Sequence, residues 1–242
     1  MTSLIQTLKQ IKPSVCPIAF SQPTPIAGQV NINVVGSGFA VSASGFICTC
    51  AHVVNGKQGQ LHVGYLQPDQ NYKFLVGNIA LIDLEKDFAL IKIENLPQGI
   101  NFSPMNIGSS SGIAEGQDVA FYGFPFGGSS GGGFSASATK GIISAVRRII
   151  IGDVNHPSVT IFQLDAMTME GNSGAPLFDI ESGAVLGIVN ARFDPLMQGN
   201  IPQITVGGRP LGFPTNIGFA IPIDAVRDLI NSKIESVVTQ IV

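Results

Sequence analysis

Apolar residues in this chain fall in short runs punctuated by Gly, Pro, Asn and Ser, with a longer, helix-like spacing at either end. At the start, Leu4, Ile5, Leu8, Ile11 and Val15 recur at helical spacing behind Thr2 and Ser3, which offer a side-chain cap, and Pro13 closes the pattern. At the far end, Asp224 is placed to cap a helix carrying Ala225, Val226, Leu229, Ile230, Ile234, Val237 and Val238. Between them the runs predict strands over 30–35, 38–43, 46–49, 61–66, 73–82, 88–93, 118–123, 139–149, 159–165, 175–178, 184–190 and 217–221. Many short strands with regular turn signals predict all-β barrels or sandwiches. The composition shifts over 94–117, ENLPQGINFSPMNIGSSSGIAEGQ, which marks a linker between two β units. The Gly/Ser-rich stretch 127–133 predicts a surface loop, and it lacks the Gly-Lys-Ser/Thr that a phosphate-binding loop needs. Segment 191–216 is a long irregular insertion, and such loops often carry binding elements.

Composition narrows the class. Of the 242 residues, 45% are apolar and 12% charged, against a usual charged share of about 25%. The chain is therefore not intrinsically disordered and has ample length for a core. Thirteen basic and 16 acidic residues leave a net charge of −3, with no basic cluster to neutralise phosphates beyond the doublet Arg147-Arg148. Nucleic-acid and anionic-membrane partners are not expected. No stretch approaches the roughly 20 apolar residues of a membrane span. The opening MTSLIQTLKQIKPSV lacks the apolar core of a secretory signal. Cys16, Cys48 and Cys50 are an odd count, and a bridge between Cys48 and Cys50 on one strand would be strained. Free thiols in a reducing compartment are the expectation, and with it a cytoplasmic location.

Residues 171–176 read GNSGAP. Gly on both sides of a Ser presents a hydroxyl at a tight bend and leaves neighbouring N–H groups free to point outward, as acyl transfer requires at its nucleophile. A serine hydroxyl is a weak nucleophile, so a His held in one tautomer by a third group must take its proton. The chain has three histidines. His52 ends an apolar strand in TCAHVV and can project into a cleft; His62 alternates with apolar residues in QLHVGY and reads as a strand-surface residue; His156 in DVNHPS reads as a turn. For the third member, Asp87 opens the strand DFALIKI, and Asp83 lies close by inside the preceding segment.

Taken in the order His, Asp, Ser, the segments TCAHVV, DFALIKI and GNSGAPLF resemble the trypsin-like serine proteases of the chymotrypsin fold, and most closely the HtrA/Deg branch. The spacings of 35 and 86 residues suit that family. So do GSGFAVSASGFICTCAHVV (36–54), YGFPFG (122–127), TKGIISAVRR (139–148), LDAMTMEGNSGAPLF (164–178) and IGFAIP (217–222), which fall in the family's order over about residues 12–222. The resemblance implies two six-stranded antiparallel β-barrels with short terminal helices: residues 1–103 hold the first helix, the first barrel, His52 and Asp87, and residues 104–242 hold the second barrel with Ser173 and the last helix. It makes Ser173 the nucleophile, His52 the general base and then acid, Asp87 its orienter, and the N–H groups of Gly171 and Ser173 the oxyanion hole. No metal or cofactor is implied.

The chain departs from that family in carrying no PDZ domain after its last helix, in having Ala175 where a second Gly is usual, and in a longer, more Gly-rich loop at 127–133. Met167, six residues before Ser173, stands where Arg- and Lys-selective relatives carry an Asp. With Ile188 in LGIVNA it predicts an apolar pocket that favours small and medium aliphatic residues before the cut bond. Asp165 lies nearby in sequence, eight before Ser173, and is the residue that could upset this preference. Asn172 offers no charge to pair with a new N-terminus, so activation without N-terminal cleavage is expected. The function expected is a serine endopeptidase acting on protein or peptide substrates through an acyl-enzyme. The alternatives are an effector peptidase switched on by a protein partner, or a weakly active chaperone-like binding module. A homo-oligomer joined through the apolar face of residues 4–15 is compatible with either, as is packing of that face on its own barrel.

Overall fold

Ser3 caps the first helix, α1 (Leu4–Ile11): its hydroxyl accepts from the Gln6 N–H while the Gln6 side chain accepts from the Ser3 N–H. The computed structural model describes residues 2–23, 30–125, 127, 135–150, 158–191, 205–206, 209–210 and 217–239. Ile11 is buried, and the Thr7 hydroxyl donates to the Ile180 carbonyl at 2.6 Å, so the helix rests in part on the second half of its own chain. Ile5 remains exposed.

The helix stops at Ile11, earlier than the spacing through Val15 predicts. Pro13 sits in a tight turn, Lys12–Ser14, and Val15 opens β1 (Val15–Pro23), a strand absent from the sequence-based set. Pro17 is what hides it, because a proline argues against a strand paired on both sides. Here it is tolerated because pairing with β2 covers Pro17 whereas pairing with β4 begins only at Ile18.

The two strands expected at 30–35 and 38–43 are one, β2 (Val30–Ser42), bulged against β1 where Ile18 pairs with Gly36 and Ala19 with Val34. Gly-Ser-Gly at 36–38 reads as a break in sequence. In the fold these glycines keep the strand continuous, since a Cβ at Gly36 would meet Val53 at 2.6 Å and one at Gly38 the Cys48 carbonyl at 2.8 Å. Then come β3 (Phe46–Cys50), a helical turn α2 (Ala51–Val54), β4 (Gln60–Leu66), β5 (Tyr72–Asp83) and β6 (Phe88–Ile93). They close a six-stranded antiparallel barrel in the order β1-β2-β3-β6-β5-β4.

The second barrel is built from β7 (Asp118–Gly123), β8 (Ser137–Ile150), β9 (Ser158–Asp165), β10 (Pro176–Asp179), β11 (Val185–Val189) and β14 (Ile217–Pro222). Its closed order is β10-β11-β14-β9-β8-β7. Two short strands, β12 (Thr205–Val206) and β13 (Arg209–Pro210), pair with each other inside the expected insertion, the rest of which, beyond Ala191, lies outside the described residues. His156 and all but Gly127 of the loop at 127–133 lie outside them too. Phe39, Phe46 and Phe88 fill the first barrel and Phe121 and Phe162 the second, each essentially without exposed area. Such burial is worth roughly 1.5–3 kcal/mol per side chain.

The segment 94–117 straps the barrels together. The Met105 N–H donates to Ala40 in the first, and Asn106 and Gly108 exchange backbone bonds with Val185 in the second. Asp224 does not cap the last helix, α3 (Arg227–Thr239), as its position suggests; it lies in the preceding turn, Ile223–Ala225. Its carboxylate is drawn instead to the N–H groups of Ser110 and Ser111, the Ser109 hydroxyl and Arg227.

Candidate active site

His52 stands in the helical turn that follows β3, and Asp87 stands at the mouth of β6, the strand paired with β3. The ladder brings their segments together before any side chain acts, because Cys50 pairs with Phe88. Asp87 then does three things at once. Its carbonyl accepts from the Ala51 N–H at 3.0 Å, its Oδ1 accepts from the His52 N–H at 2.9 Å, and its Oδ2 lies 2.6 Å from His52 Nδ1. The carboxylate thereby caps the turn that presents the imidazole and selects the tautomer with hydrogen on Nδ1, leaving Nε2 as the basic nitrogen. Asp87 adopts φ +50°, a left-handed conformation that Asp tolerates better than most residues.

Asn190, at the end of β11, donates from Nδ2 to Asp87 Oδ2 at 2.8 Å, so a group from the second barrel supports the acid of the first. Nothing in the reading of the sequence singled it out. Its place directly after an apolar strand aimed at the interface was the available signal. Asp83, the other candidate acid, is committed elsewhere: its carboxylate accepts from the Lys86 N–H and Nζ, both at 2.9 Å. Partial burial raises its carboxyl, but those bonds outweigh it and hold it below the usual range.

Ser173 lies in the turn between β9 and β10, and it lines with His52, Gly171, Glu170, Lys57 and Ala191 a cleft of about 370 Å³. Its Oγ accepts from the Ala191 N–H at 3.2 Å. Among the described residues it makes no hydrogen bond to His52. Gly171 has φ +93° and Gly174 φ +87°, conformations that favour glycine. At Gly174 a Cβ would also run into the Ser37 carbonyl and the Thr49 hydroxyl. Among the described residues the N–H groups of Gly171 and Ser173 donate to no protein acceptor, so both are available to an oxyanion.

The expected pocket residues separate. Met167 is exposed, whereas Ile188 has no exposed area, and neither lines the cleft at Ser173. Every residue of β11 is buried, so alternation along the strand gives no hint of which side faces a ligand. His62, on β4, bonds Ser21 through Nε2 at 2.8 Å, and burial lowers its pKa.

Cys50, His52 and Asp87 place three atoms capable of ligating a metal within 4.8 Å of one another. Their chemistry suits a hydrogen-bonded cluster better. Burial and the neighbouring Asp87 keep the Cys50 thiol protonated, it donates to the Val189 carbonyl, and His52 Nδ1 is already engaged.

Two antiparallel six-stranded barrels with a Ser, a His and an Asp at their junction define a trypsin-like peptidase, and the chain belongs to that family: the trypsin-like peptidase domain matches residues 36–188. It is 35% identical over 197 residues to a protein named probable periplasmic serine endoprotease DegP-like from Halomonas elongata, covering 81% of this chain and 34% of that protein. The protein of the same name from Hahella chejuensis is 33% identical over 214 residues, 88% of this chain and 38% of that one. Protease Do-like 1, chloroplastic, from Arabidopsis thaliana is 30% identical over 200 residues, 82% of this chain and 39% of its own length. The chain thus spans less than two fifths of the length of these relatives.

The expectation of a cytoplasmic location is overturned. The bacterial relatives are named periplasmic, which points away from the cytoplasm. The thiol argument fails for a physical reason: Cys16, Cys48 and Cys50 are free but fully buried, and burial pushes each thiol pKa up, so none reports the redox state outside.

Proposed function

We propose that this chain is a serine endopeptidase that cleaves peptide bonds in protein substrates through an acyl-enzyme on Ser173. The observation that carries the reading is the His52–Asp87 pair, locked at 2.6 Å, in one cleft with a glycine-flanked serine. In the first step Ser173 Oγ attacks the carbonyl carbon while its proton passes to His52 Nε2. The Asp87 carboxylate stays ionised and stabilises the imidazolium across the Nδ1 bond. The N–H groups of Gly171 and Ser173 receive the oxyanion, and each such donor is worth roughly 2.7–4 kcal/mol of transition-state stabilisation. His52 then gives the proton to the leaving amine, and water repeats the sequence on the acyl-enzyme.

Before the cut bond the site favours small and medium aliphatic residues. Met167 carries no charge to pair with a basic side chain; it is exposed, so the preference rests on that missing partner and not on desolvation. Two acids lie nearby in sequence: Asp165, exposed at the end of β9, and Glu170, which lines the cleft with Ser173. Cleavage-site profiling of a denatured protein mixture would overturn this preference by returning mainly Arg and Lys.

A second reading, activation by a bound partner or substrate, is favoured by one observation. The Ser173 hydroxyl accepts from Ala191 and is not bonded to His52 among the described residues. Labelling with a fluorophosphonate separates the readings. Prompt labelling that vanishes in Ser173→Ala supports the constitutive enzyme, and labelling only after a partner or peptide is added supports the second. No labelling under any condition would leave a binding module on a peptidase fold.

A further inference from the structure

We propose that Ser37, on β2 of the first barrel, is a positioning residue that holds the oxyanion-binding turn of the second barrel in its working shape. This rests on the peptidase reading above. Ser37 has no exposed area and no place in the proton relay, yet four hydrogen bonds converge on it. Its Oγ donates to the Gly171 carbonyl at 2.7 Å and accepts from the Phe124 N–H at 2.9 Å. Its own N–H donates to the Ser173 carbonyl at 2.9 Å, and its carbonyl accepts from the Thr49 hydroxyl at 2.7 Å.

The direction of these bonds is settled by donor arithmetic. The Phe124 N–H can only donate, so it takes a lone pair of Oγ and leaves the single hydroxyl hydrogen for the Gly171 carbonyl. Both partners are buried, so neither has water as a substitute.

The Gly171 carbonyl belongs to the peptide that joins Gly171 to Asn172. That peptide lies between the two N–H groups assigned to the oxyanion, those of Gly171 and Ser173. Its other end is fixed as well, since the Asn172 N–H donates to Met169 at 2.9 Å. With Ser37 present the peptide is pinned at oxygen and at nitrogen, and Gly171 is kept at φ +93°. Without the hydroxyl the carbonyl is buried and unpaired. The inexpensive remedy is to rotate the peptide about its two flanking bonds, which turns the adjacent donors off a common point. Gly171 is the residue that would permit such a rotation, because glycine accepts either sign of φ. A single residue of the first barrel thus grips both carbonyls that bracket Asn172, by Oγ on one side and by its N–H on the other.

The test compares two reactions of the full chain. Phosphonylation of Ser173 by a fluorophosphonate places a phosphoryl oxygen among the oxyanion donors. Carbethoxylation of His52 by diethyl pyrocarbonate, located by peptide mass spectrometry, needs no oxyanion. Ser37→Ala should slow phosphonylation on the order of 10- to 100-fold, below the loss expected from deleting a donor outright. The His52 reaction and the pH at which phosphonylation rises should stay as in the unaltered protein. Ser37→Cys, close in size and a weaker donor, should fall between the two. A wild-type phosphonylation rate in Ser37→Ala, or a parallel change in both reactions, overturns the proposal. Should Ser37→Ala fail to fold, Ser37→Cys decides by the same pair of rates. If the unaltered chain is not labelled at Ser173 at all, the peptidase reading itself falls, an outcome distinct from an unaffected Ser37 variant.

Discussion

The first barrel holds its half of the site with side chains, and the second holds its half with main chain. His52 is fixed by two bonds to one carboxylate and by the turn that this carboxylate caps. Ser173 is fixed by a backbone path through two left-handed glycines, with its carbonyl tied to Ser37 and the next N–H tied to Val189. The difference separates what each half is sensitive to. Exchanging His52 or Asp87 should alter proton transfer and leave the fold alone, whereas adding even a methyl group at Gly174 in the second barrel's turn should alter the fold.

Ser173→Ala puts the greatest strain on this contrast. Removing a hydroxyl opens no cavity, so thermal unfolding should be unchanged while turnover falls on the order of 10⁶-fold. Peptide hydrolysis and calorimetry on one sample check both halves of that statement. Asp87→Asn is next. An amide can keep the shape of the pair but holds the wrong imidazole tautomer, for a loss in kcat on the order of 10⁴ with the fold retained. Near-normal activity in this variant would remove Asp87 from the proposal.

Gly174→Ala should invert the pattern. Its φ of +87° and the approach of the Ser37 carbonyl leave no room for a Cβ, so stability should fall by about 2–4 kcal/mol. The midpoint of thermal unfolding should drop by roughly 5–15 °C. A variant as stable as the unaltered chain would show that the turn is less constrained than its glycines imply.

What could be read from the sequence follows the same division. The β ladders of both barrels, with their closing order aside, are legible from apolar runs and turn residues, because short-range patterns encode them, whereas the grouping of His52 with Asp87 comes from the order of segments that resembles the trypsin-like family. The exceptions have particular causes. β1 was hidden by Pro17, whose missing N–H matters only where both flanks pair. β2 was split at Gly36 and Gly38, which serve close approach rather than a turn. Asn190 and Ser37 act across the barrel interface on partners 103 and 134 residues away, and no local spacing marks such a contact. For Ile188 the sequence gives the strand but not which of its two buried faces serves a ligand.

Asn190→Ala tests a side-chain bond to Asp87 that crosses between the barrels. It deletes a charge-assisted donor to Asp87 Oδ2 and leaves the His52 bond in place. A loss in kcat of about 10-fold is expected, the worth of one hydrogen bond to a charged group. A loss as large as that of Asp87→Asn would mean that the second barrel, and not the ladder of the first, positions the acid.

The smallest effect concerns the strap between the barrels, where a side chain again organises main chain. Partial burial pushes the Asp224 carboxyl up, but bonds from Arg227, Ser110 and Ser109 outweigh it and hold the pKa at about 2, against an ordinary 3.8. A carboxyl depressed in the folded state binds fewer protons there than in the unfolded chain. Its contribution to stability is therefore complete above about pH 4 and is lost as the pH falls toward 2. The side chain is about a third exposed, so solvent screens the effect, and Asp224→Asn should lower the unfolding midpoint at pH 7 by only about 2 °C. Between pH 4 and pH 2 the two proteins should converge, because the unaltered one loses the charge that the variant lacks. Thermal unfolding followed across that range measures the convergence directly. A deficit that persists undiminished at pH 2 would assign the stabilisation to the shape of the Asp224 side chain and not to its charge.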